Sequence, residues 1–140
     1  MSWDRRLCPV DHPARWGAYT PDRPAVSFAQ TSWSWAELDA RAARTARWLV
    51  DDLGLEPGDR VALLAHNHPC FFELLFACVR AGVVLAPLNF RLAPAELDAL
   101  LALCGAQALL VDEVNRSVLP SMEHPLARQA LALEKLEAQP

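Results

Sequence analysis

The sequence predicts an α/β fold, specifically a partial doubly wound parallel sheet with flanking helices. Two patterns carry this prediction: short apolar runs alternate with segments of helical periodicity, and glycines follow several of the helical segments. In a chain with this order, consecutive strands lie parallel and are connected through right-handed helical crossovers.

The composition is that of a globular protein about one domain long, with 140 residues, 53% of them hydrophobic and 21% charged. The formal net charge of −4 offers no basic surface for nucleic acid. Residues Met1–Leu7 lack the apolar core of a signal peptide. The most apolar stretch, Phe71–Leu88, is interrupted by charged residues, glycine and proline, so it is a poor membrane span. We therefore expect a cytoplasmic protein.

The first well-specified helix begins after a short predicted strand, Ala25–Phe28. Ser34 and Glu37 form a Ser-x-x-Glu capping box, in which each side chain bonds the other residue's backbone N–H. Gly54 fits the left-handed position that ends a helix. Between these limits, spacings of three and four predict one apolar face, made of Leu38, Ala42, Thr45, Leu49 and Leu53.

Further strands and helices are predicted after residue 54. Pro57-Gly58 is typical of the centre of a type II turn, because proline presets the first φ and glycine accepts the positive second one. The predicted strands are Val61–Ala65, Val83–Ala86 and Ala108–Val111; the predicted helices are Pro69–Ala81, Pro94–Leu103 and an amphipathic helix over Pro125–Glu137. With Ala25–Phe28, these strands make a half-sheet of four.

The helix over Pro69–Ala81 is apolar almost all round. Its only charged residues, Glu73 and Arg80, are seven positions apart and share one narrow strip. Such a helix is normally buried on several sides. We expect further protein, either a continuation of the chain or a partner, to pack against it.

Residues that could carry catalysis are sparse. The five glycines are scattered and form no phosphate-binding loop, and no Gly-x-Ser-x-Gly nucleophile elbow is present. The acidic pairs Asp51-Asp52 and Asp112-Glu113 are interpreted as solvated carboxylates rather than phosphoacceptors. No catalytic or cofactor-binding residue is therefore predicted.

Metal-binding and reactive thiol sites are also disfavoured. His66, His68 and Cys70 alternate, but Pro69 interrupts them and a helix-capping role explains the stretch more simply. No metal site is predicted. The four cysteines, Cys8, Cys70, Cys78 and Cys104, form no Cys-x-x-Cys pair and lie mostly in apolar segments. They are predicted to be reduced, buried thiols.

Several segments, in order, resemble the N-terminal part of the adenylate-forming (AMP-binding) superfamily, in particular acyl-CoA synthetases. Trp33–Leu38 is similar to the family's Thr-Tyr-x-Glu-Leu segment, and Gly54–Leu63 to its Gly-x-x-Pro-Gly-Asp-x-Val stretch. Ala81–Asn89 resembles Ala-Gly-x-x-x-x-Pro-Leu-Asn, and Arg91–Leu97 completes the match. The opening Cys8–His12 looks somewhat like o-succinylbenzoate–CoA ligases.

The resemblance implies an enzyme that activates a carboxylate with ATP, releases pyrophosphate, and transfers the acyl group from the adenylate to the thiol of coenzyme A. ATP, Mg²⁺ and coenzyme A are implied for the full-length enzyme. The family's Ser/Thr/Gly-rich phosphate loop and the C-terminal domain with its catalytic lysine lie beyond the matched region, and Lys135 does not inherit that role. We therefore expect this segment to bind no cofactor and to be inactive alone, with a fatty, aryl or o-succinylbenzoate substrate left open.

The resemblance also suggests how the chain is organised. Residues 1–19 are an N-terminal helical or irregular segment, residues 20–112 the N-terminal α/β subdomain of the ligase, and residues 113–140 a poorly matched tail. Asn89 and Arg91 are the polar residues closest to a potential ligand, because they follow a predicted strand, although a loop-bracing role is favoured for both. Ala93 replaces the Ser/Thr cap expected before Pro94.

Two other functions remain open. The chain could be a non-catalytic interaction module, a homo-oligomer or a subunit that completes a split ligase, as the apolar Phe71–Val79 stretch suggests. A receiver-like or flavodoxin-like domain is disfavoured, since neither a clustered acid site nor a flavin phosphate loop is evident. The expected partner is the remainder of a ligase chain or a second copy.

Overall fold

The computed structural model describes residues 11–136, which form two compact units. The first unit contains residues 11–54 and 69–81, and the second contains residues 55–68 and 82–136. The predicted mixed α/β class is confirmed. Within the described range, no helix is both long enough and apolar enough to cross a membrane. The interpretation of Cys8 lies outside the described residues.

The first unit combines a hairpin with three helices. Its elements are α1 (Asp11–Tyr19), β1 (Pro24–Phe28), β2 (Thr31–Ser34), α2 (Trp35–Arg47) and α3 (Cys70–Ala81). The predicted capping box at the start of α2 is confirmed. The Glu37 N–H donates to Ser34 Oγ at 3.2 Å, and the Ser34 N–H donates to Glu37 Oε2 at 2.6 Å.

The spacing predicted a helix with one apolar face as far as Leu53. The helix that begins at this capping box is not a regular α-helix over that whole length. Residues Trp48–Asp52 form a wider π-helical turn, in which the Leu53 N–H reaches the Trp48 carbonyl at 3.1 Å. Trp48 and Leu49, in this turn, are both buried. Gly54 follows with φ of +65°, as its predicted role at the helix end requires.

The predicted strand at Ala25–Phe28 exists but does not join the parallel sheet. It forms an antiparallel hairpin with β2, a strand that the sequence did not reveal because Ser34 also begins a helix. The connecting residue Ala29 has φ of +51°, in the left-handed region that disfavours residues with a Cβ. The prediction that Ala25–Phe28 is one of the four strands of the parallel sheet is therefore wrong.

The charged strip of α3 faces α2. The Glu73 carboxylate is 1% exposed; it accepts from Arg41 Nε at 2.7 Å and from Thr45 Oγ1 at 2.5 Å. Farther along, Arg80 pairs with Asp39 and also donates to its backbone carbonyl at 3.0 Å. The interface between α2 and α3 is thus held by two charged pairs.

The second unit contains the parallel sheet. Its elements are β3 (Arg60–Leu64), β4 (Val84–Leu88), α4 (Pro94–Cys104), β5 (Ala108–Val111), a 3₁₀ segment (Val114–Ser121), α5 (Pro125–Arg128), β6 (Leu131–Ala132) and a final 3₁₀ turn (Leu133–Leu136). The strands are all parallel, in the order β4-β3-β5-β6. The predicted parallel sheet is confirmed. Its edge strands are β4, which contains Pro87, and β6, which has two residues.

The amphipathic helix predicted over Pro125–Glu137 is wrong. The helix ends at Arg128, and Leu131–Ala132 pairs instead with Leu110 and Val111 of β5. The apolar residues do have helical spacing. Strand pairing is nevertheless favoured, because it gives partners to backbone groups along the edge of β5 that a surface helix would leave unpaired. Within the 3₁₀ turn that follows, Leu133 and Leu136 are buried.

One arginine ties the amino end of the sheet to the end of α4. The Arg60 guanidinium donates to the carbonyl oxygens of Cys104 at 2.9 Å, Gly105 at 3.0 Å and Gly58 at 3.0 Å. These bonds satisfy carbonyls left without partners at a helix end. Gly105 has φ of +59°, and a Cβ there would lie 2.8 Å from Arg60 Nη2. The positive φ therefore favours glycine at this position, and a side chain there would also displace the end of the Arg60 side chain.

The predicted turn before β3 is confirmed. Gly58 has φ of +96°, and the Asp59 N–H donates to the Glu56 carbonyl at 3.0 Å, as in a type II turn. At the start of α4, Ala93 supplies no capping side chain, but its own N–H donates to Glu96 Oε2 at 2.8 Å. Half of a capping box therefore compensates for the missing Ser or Thr.

Replacing Glu73 by glutamine tests the buried pair. We expect Glu73→Gln to lower the free energy of unfolding by about 3 kcal/mol, because it leaves the partly buried guanidinium of Arg41 without its counter-charge. Chemical denaturation at pH 7 measures this. The same exchange at exposed Glu56 is the control and should change stability by less than about 0.5 kcal/mol. Equal effects at both positions would show that the buried pair is not stabilising.

A substitution in the connection between β1 and β2 is expected to stabilise the protein rather than destabilise it. Ala29→Gly should raise the free energy of unfolding by about 1 kcal/mol, because glycine adopts a positive φ without steric cost. Ala40→Gly, inside α2, should lower it by a similar amount. Thermal unfolding of both variants compares them directly, and destabilisation by Ala29→Gly would contradict the left-handed conformation at this residue.

Candidate functional site at the carboxyl edge of the parallel sheet

Polar side chains collect where the central strands of the sheet end. Because β4, β3 and β5 are adjacent and parallel, their carboxyl ends lie along one edge. His66 follows β3, Asn89 and Phe90 follow β4, and Asp112 follows β5. Open α/β sheets bind ligands at this edge. We call this group, together with Asn115 and Arg91, the carboxyl-edge cluster.

His66, Asp112 and Asn115 form a hydrogen-bonded network. Asp112 Oδ2 accepts from the His66 backbone N–H at 2.8 Å and lies 3.1 Å from His66 Nδ1. Asp112 Oδ1 accepts from the Asn115 backbone N–H at 2.8 Å and from Asn115 Nδ2 at 2.6 Å. The Asp112 side chain is 13% exposed, whereas that of His66 is 45% exposed. The carboxylate therefore anchors the network and the imidazole reaches solvent.

These contacts control the ionisation of Asp112. Burial raises the pKa of Asp112. The hydrogen bonds from the backbone and side chains of His66 and Asn115 lower the pKa by a larger amount. The resulting pKa is therefore below the ordinary value of 3.8. Asp112 is therefore a carboxylate at neutral pH. The interpretation of Asp112 as a solvated acid is wrong, because its oxygens are occupied by protein donors; Glu113, whose side chain is 80% exposed, does fit that description.

The protonation of His66 determines how the network is bonded. Asn115 Nδ2 also lies 3.0 Å from His66 Nδ1, and an amide nitrogen can only donate. With Nδ1 unprotonated, it accepts from Asn115; with Nδ1 protonated, it donates to Asp112 instead. Both states leave Nε2 outside this network. His66 can thus form a hydrogen bond through Nε2 while Asp112 and Asn115 hold its ring in place.

The ring of Phe90 contacts two side chains of the carboxyl-edge cluster. Its centroid is 4.0 Å from that of the His66 ring and 5.2 Å from the Arg91 guanidinium carbon. The first distance places the two rings in direct contact, and the second is within the range of cation–π contacts. Asn89 braces the loop, because its Oδ1 accepts from the Arg91 N–H at 3.0 Å. The loop-bracing role is thus confirmed for Asn89, while Arg91 stacks on Phe90.

The sequence singled out neither His66 as a partner of Asp112 nor the position of Phe90. The pairing joins residues 46 positions apart, and only the adjacency of β3 and β5 brings them together. The available signal was a polar residue within two positions of the end of each of these strands. Among residues 11–136, no group of three or more His, Cys, Asp or Glu side chains is arranged to hold a metal ion.

Two of the cysteines are deeply buried. Cys70 and Cys78 are both at most 1% exposed, while Cys104 is half-buried. Burial raises the pKa of the Cys78 thiol to about 12, so it is protonated at neutral pH. Cys78 is therefore an inert thiol.

The pKa of Asp112 predicts an acid-dependent stability. A carboxyl group with a lowered folded-state pKa stabilises the fold above its unfolded pKa, and this contribution disappears as pH falls through the folded value. Asp112→Asn should therefore be less stable than wild type at pH 7, with the difference shrinking as pH drops below 3.8. Denaturation at several pH values measures the difference. For the control Glu113→Gln, any difference should be small at every pH, and a pH-independent deficit for Asp112→Asn would contradict the prediction.

Known proteins share this sequence and fold. A sequence model of the family described as AMP-binding enzyme matches residues 13–139. The feruloyl-CoA synthase of Amycolatopsis sp is 48% identical over 98 residues, covering 70% of this chain and 20% of that protein. Long-chain fatty acid transport protein 2 of Rattus norvegicus is 33% identical over 108 residues, covering 74% and 17%. The chain thus spans about a fifth of the length of these curated relatives.

Solved structures agree with these relatives. A chain described as a long-chain-fatty-acid CoA ligase from Rhodopseudomonas palustris superposes with a TM-score of 0.79 at 28% identity, covering 93% of this chain and 36% of its own. The o-succinylbenzoate coenzyme A synthetase of Bacillus subtilis, solved with AMP, shares the fold with a TM-score of 0.75 at 24% identity, covering 91% and 32%. This chain belongs to the AMP-binding enzyme family.

Proposed function

We propose that the chain supplies the N-terminal scaffold of an AMP-forming acyl-CoA ligase. The match of the family model over residues 13–139 carries this proposal. In the complete enzyme, a carboxylate oxygen attacks the α-phosphorus of ATP, which releases pyrophosphate and forms an acyl adenylate. The sulfur of coenzyme A then attacks the acyl carbon and AMP leaves. ATP, Mg²⁺ and coenzyme A belong to this complete enzyme.

The contribution of this chain within the ligase is structural. A phosphate cradle needs several converging backbone N–H groups, usually from clustered glycines. Here Gly54, Gly58, Gly82 and Gly105 all have positive φ but stand apart in the sequence, at turns and helix ends. Residues 20–112 then form the α/β subdomain on which the catalytic parts are mounted, and adenylation requires residues that this chain does not contain.

The proposed substrate is a carboxylic acid with an apolar body. Relatives named for feruloyl-CoA and for fatty acids both fit this class. The higher identity to feruloyl-CoA synthase makes an aryl acid the first to test. The proposed compartment is the cytoplasm, since the buried, protonated Cys78 thiol suits a reducing environment.

An interaction role is the second candidate. On α3 the side chain of Phe72 is 44% exposed within this chain, so part of the helix is left for another protein surface. The partner is the remainder of a ligase or a second copy of the chain. Light scattering across a concentration series distinguishes the two partners. Self-association predicts an average mass that rises with concentration, whereas a scaffold that needs the remainder of a ligase predicts a constant mass.

A chimera tests the scaffold proposal. The matched segment of Amycolatopsis feruloyl-CoA synthase is replaced by the segment of this chain that is 48% identical to it. We expect the chimera to form feruloyl-CoA from ferulate, ATP and coenzyme A. In a control chimera, Val61→Asp places a charge in the fully buried core of β3 and should abolish activity through misfolding.

The isolated chain provides the second arm of this experiment. ATP–pyrophosphate exchange with ferulate or a fatty acid should stay at the level of a protein-free blank. A folded but inactive chimera would contradict the scaffold role. Exchange by the isolated chain would contradict its structural assignment.

A further inference from the structure

The first unit carries a cleft on the surface of α2. Its volume is about 270 Å³, and its lining residues are Trp33, Glu37, Ala40, Arg41 and Arg44. The four residues from α2 are spaced three or four apart, or adjacent, and so present one face of the helix. Trp33, from β2, provides an aromatic wall. The residues of this cleft all belong to the first unit, and those of the carboxyl-edge cluster all belong to the second.

Two guanidinium nitrogens at this cleft lack a hydrogen-bond acceptor. Arg41 Nε is bonded to Glu73, and the guanidinium carbon of Arg41 lies 4.0 Å from the centroid of the Trp33 ring. Arg41 Nη2 and Arg44 Nε, however, are buried and have no partner among the described residues. Unpaired charged donors shielded from solvent cost free energy, and most such groups in folded proteins are satisfied by a protein group, ordered water or an ion.

The charges around the cleft leave one cation uncompensated by an ion pair. Arg41 is neutralised by Glu73. The carboxylate of Glu37 also lines the cleft, and its Oε2 already accepts from the Ser34 N–H in the capping box. Arg44 has no ion pair with any residue in the range 11–136. Arg44 Nε therefore lacks an acceptor, and an anionic oxygen on the Arg44 side would supply one.

We propose that the α2 cleft binds a small oxyanion, a carboxylate or phosphate group, between Arg41 and Arg44 and against Trp33. Guanidinium groups hold such anions through paired N–H···O bonds. The volume of about 270 Å³ is enough for a small oxyanion and lies below the usual range for drug-sized ligands. The proposal stands independently of the ligase function, since it rests on residues of α2 and β2 alone.

Side-chain NMR tests this proposal on the full chain. Inorganic phosphate and acetate are titrated separately, with chloride adjusted to hold ionic strength constant, while the arginine Nε–Hε resonances are followed. We expect a saturable shift of the Arg44 resonance, assigned by its loss in Arg44→Gln. Saturation with phosphate alone identifies a phosphate site, and saturation with both anions identifies a general oxyanion site.

Two variants separate the site from non-specific charge effects. The remaining shift at Arg41 should saturate at least fivefold more weakly in Arg44→Gln than in wild type. The matched control, Arg47→Gln, removes an exposed arginine three positions later on the same helix and should leave the affinity unchanged. Backbone spectra confirm that both variants are folded. Linear shifts with either anion, or equal weakening by both substitutions, would overturn the proposal.

Discussion

The first unit depends on one buried charge. A carboxylate that is 1% exposed, on a helix otherwise rich in Phe and Leu, is stable only because Arg41 and Thr45 occupy both of its oxygens. This requirement restricts how α2 and α3 can pack, since sliding or rotating either helix would separate the pair. An apolar contact would tolerate several such arrangements. Glu73 therefore helps to select one packing arrangement of α2 and α3, because the apolar contacts between these helices have little directional preference.

The parallel sheet of the second unit is stabilised differently at its two ends. At the amino end, Arg60 satisfies the carbonyls of a turn and of a helix terminus. At the carboxyl end, Asp112 holds His66 while a large fraction of the imidazole surface stays exposed. This asymmetry agrees with the general division of labour in α/β sheets, in which one edge maintains the fold and the other meets ligands.

Features that depend on near neighbours in the chain could be predicted from the sequence. The capping box of Ser34 and Glu37, the turn at Gly58 and the helix end at Gly105 each involve residues within a few positions, so their chemistry is visible locally. The strands β2 and β6 could not be predicted, because their stability comes from pairing with β1 and β5 rather than from their own composition.

The same distinction applies to the functional residues. A spacing of seven placed Glu73 and Arg80 on one face of α3, but nothing in the spacing tells whether that face meets solvent or another helix. The Asp112–His66 pair and the α2 cleft both require tertiary contacts, across 46 residues in the first case. Asn89 was identified correctly because an Asn side chain bonding two residues ahead is a local motif.

The edges of the parallel sheet have a consequence for the behaviour of the chain in isolation. Exposed strand edges can recruit strands from other molecules and begin fibril formation. Here one edge strand contains Pro87, which has no N–H to offer, and the other is only two residues long. Both borders of the parallel sheet are therefore poor templates for pairing with strands of other molecules.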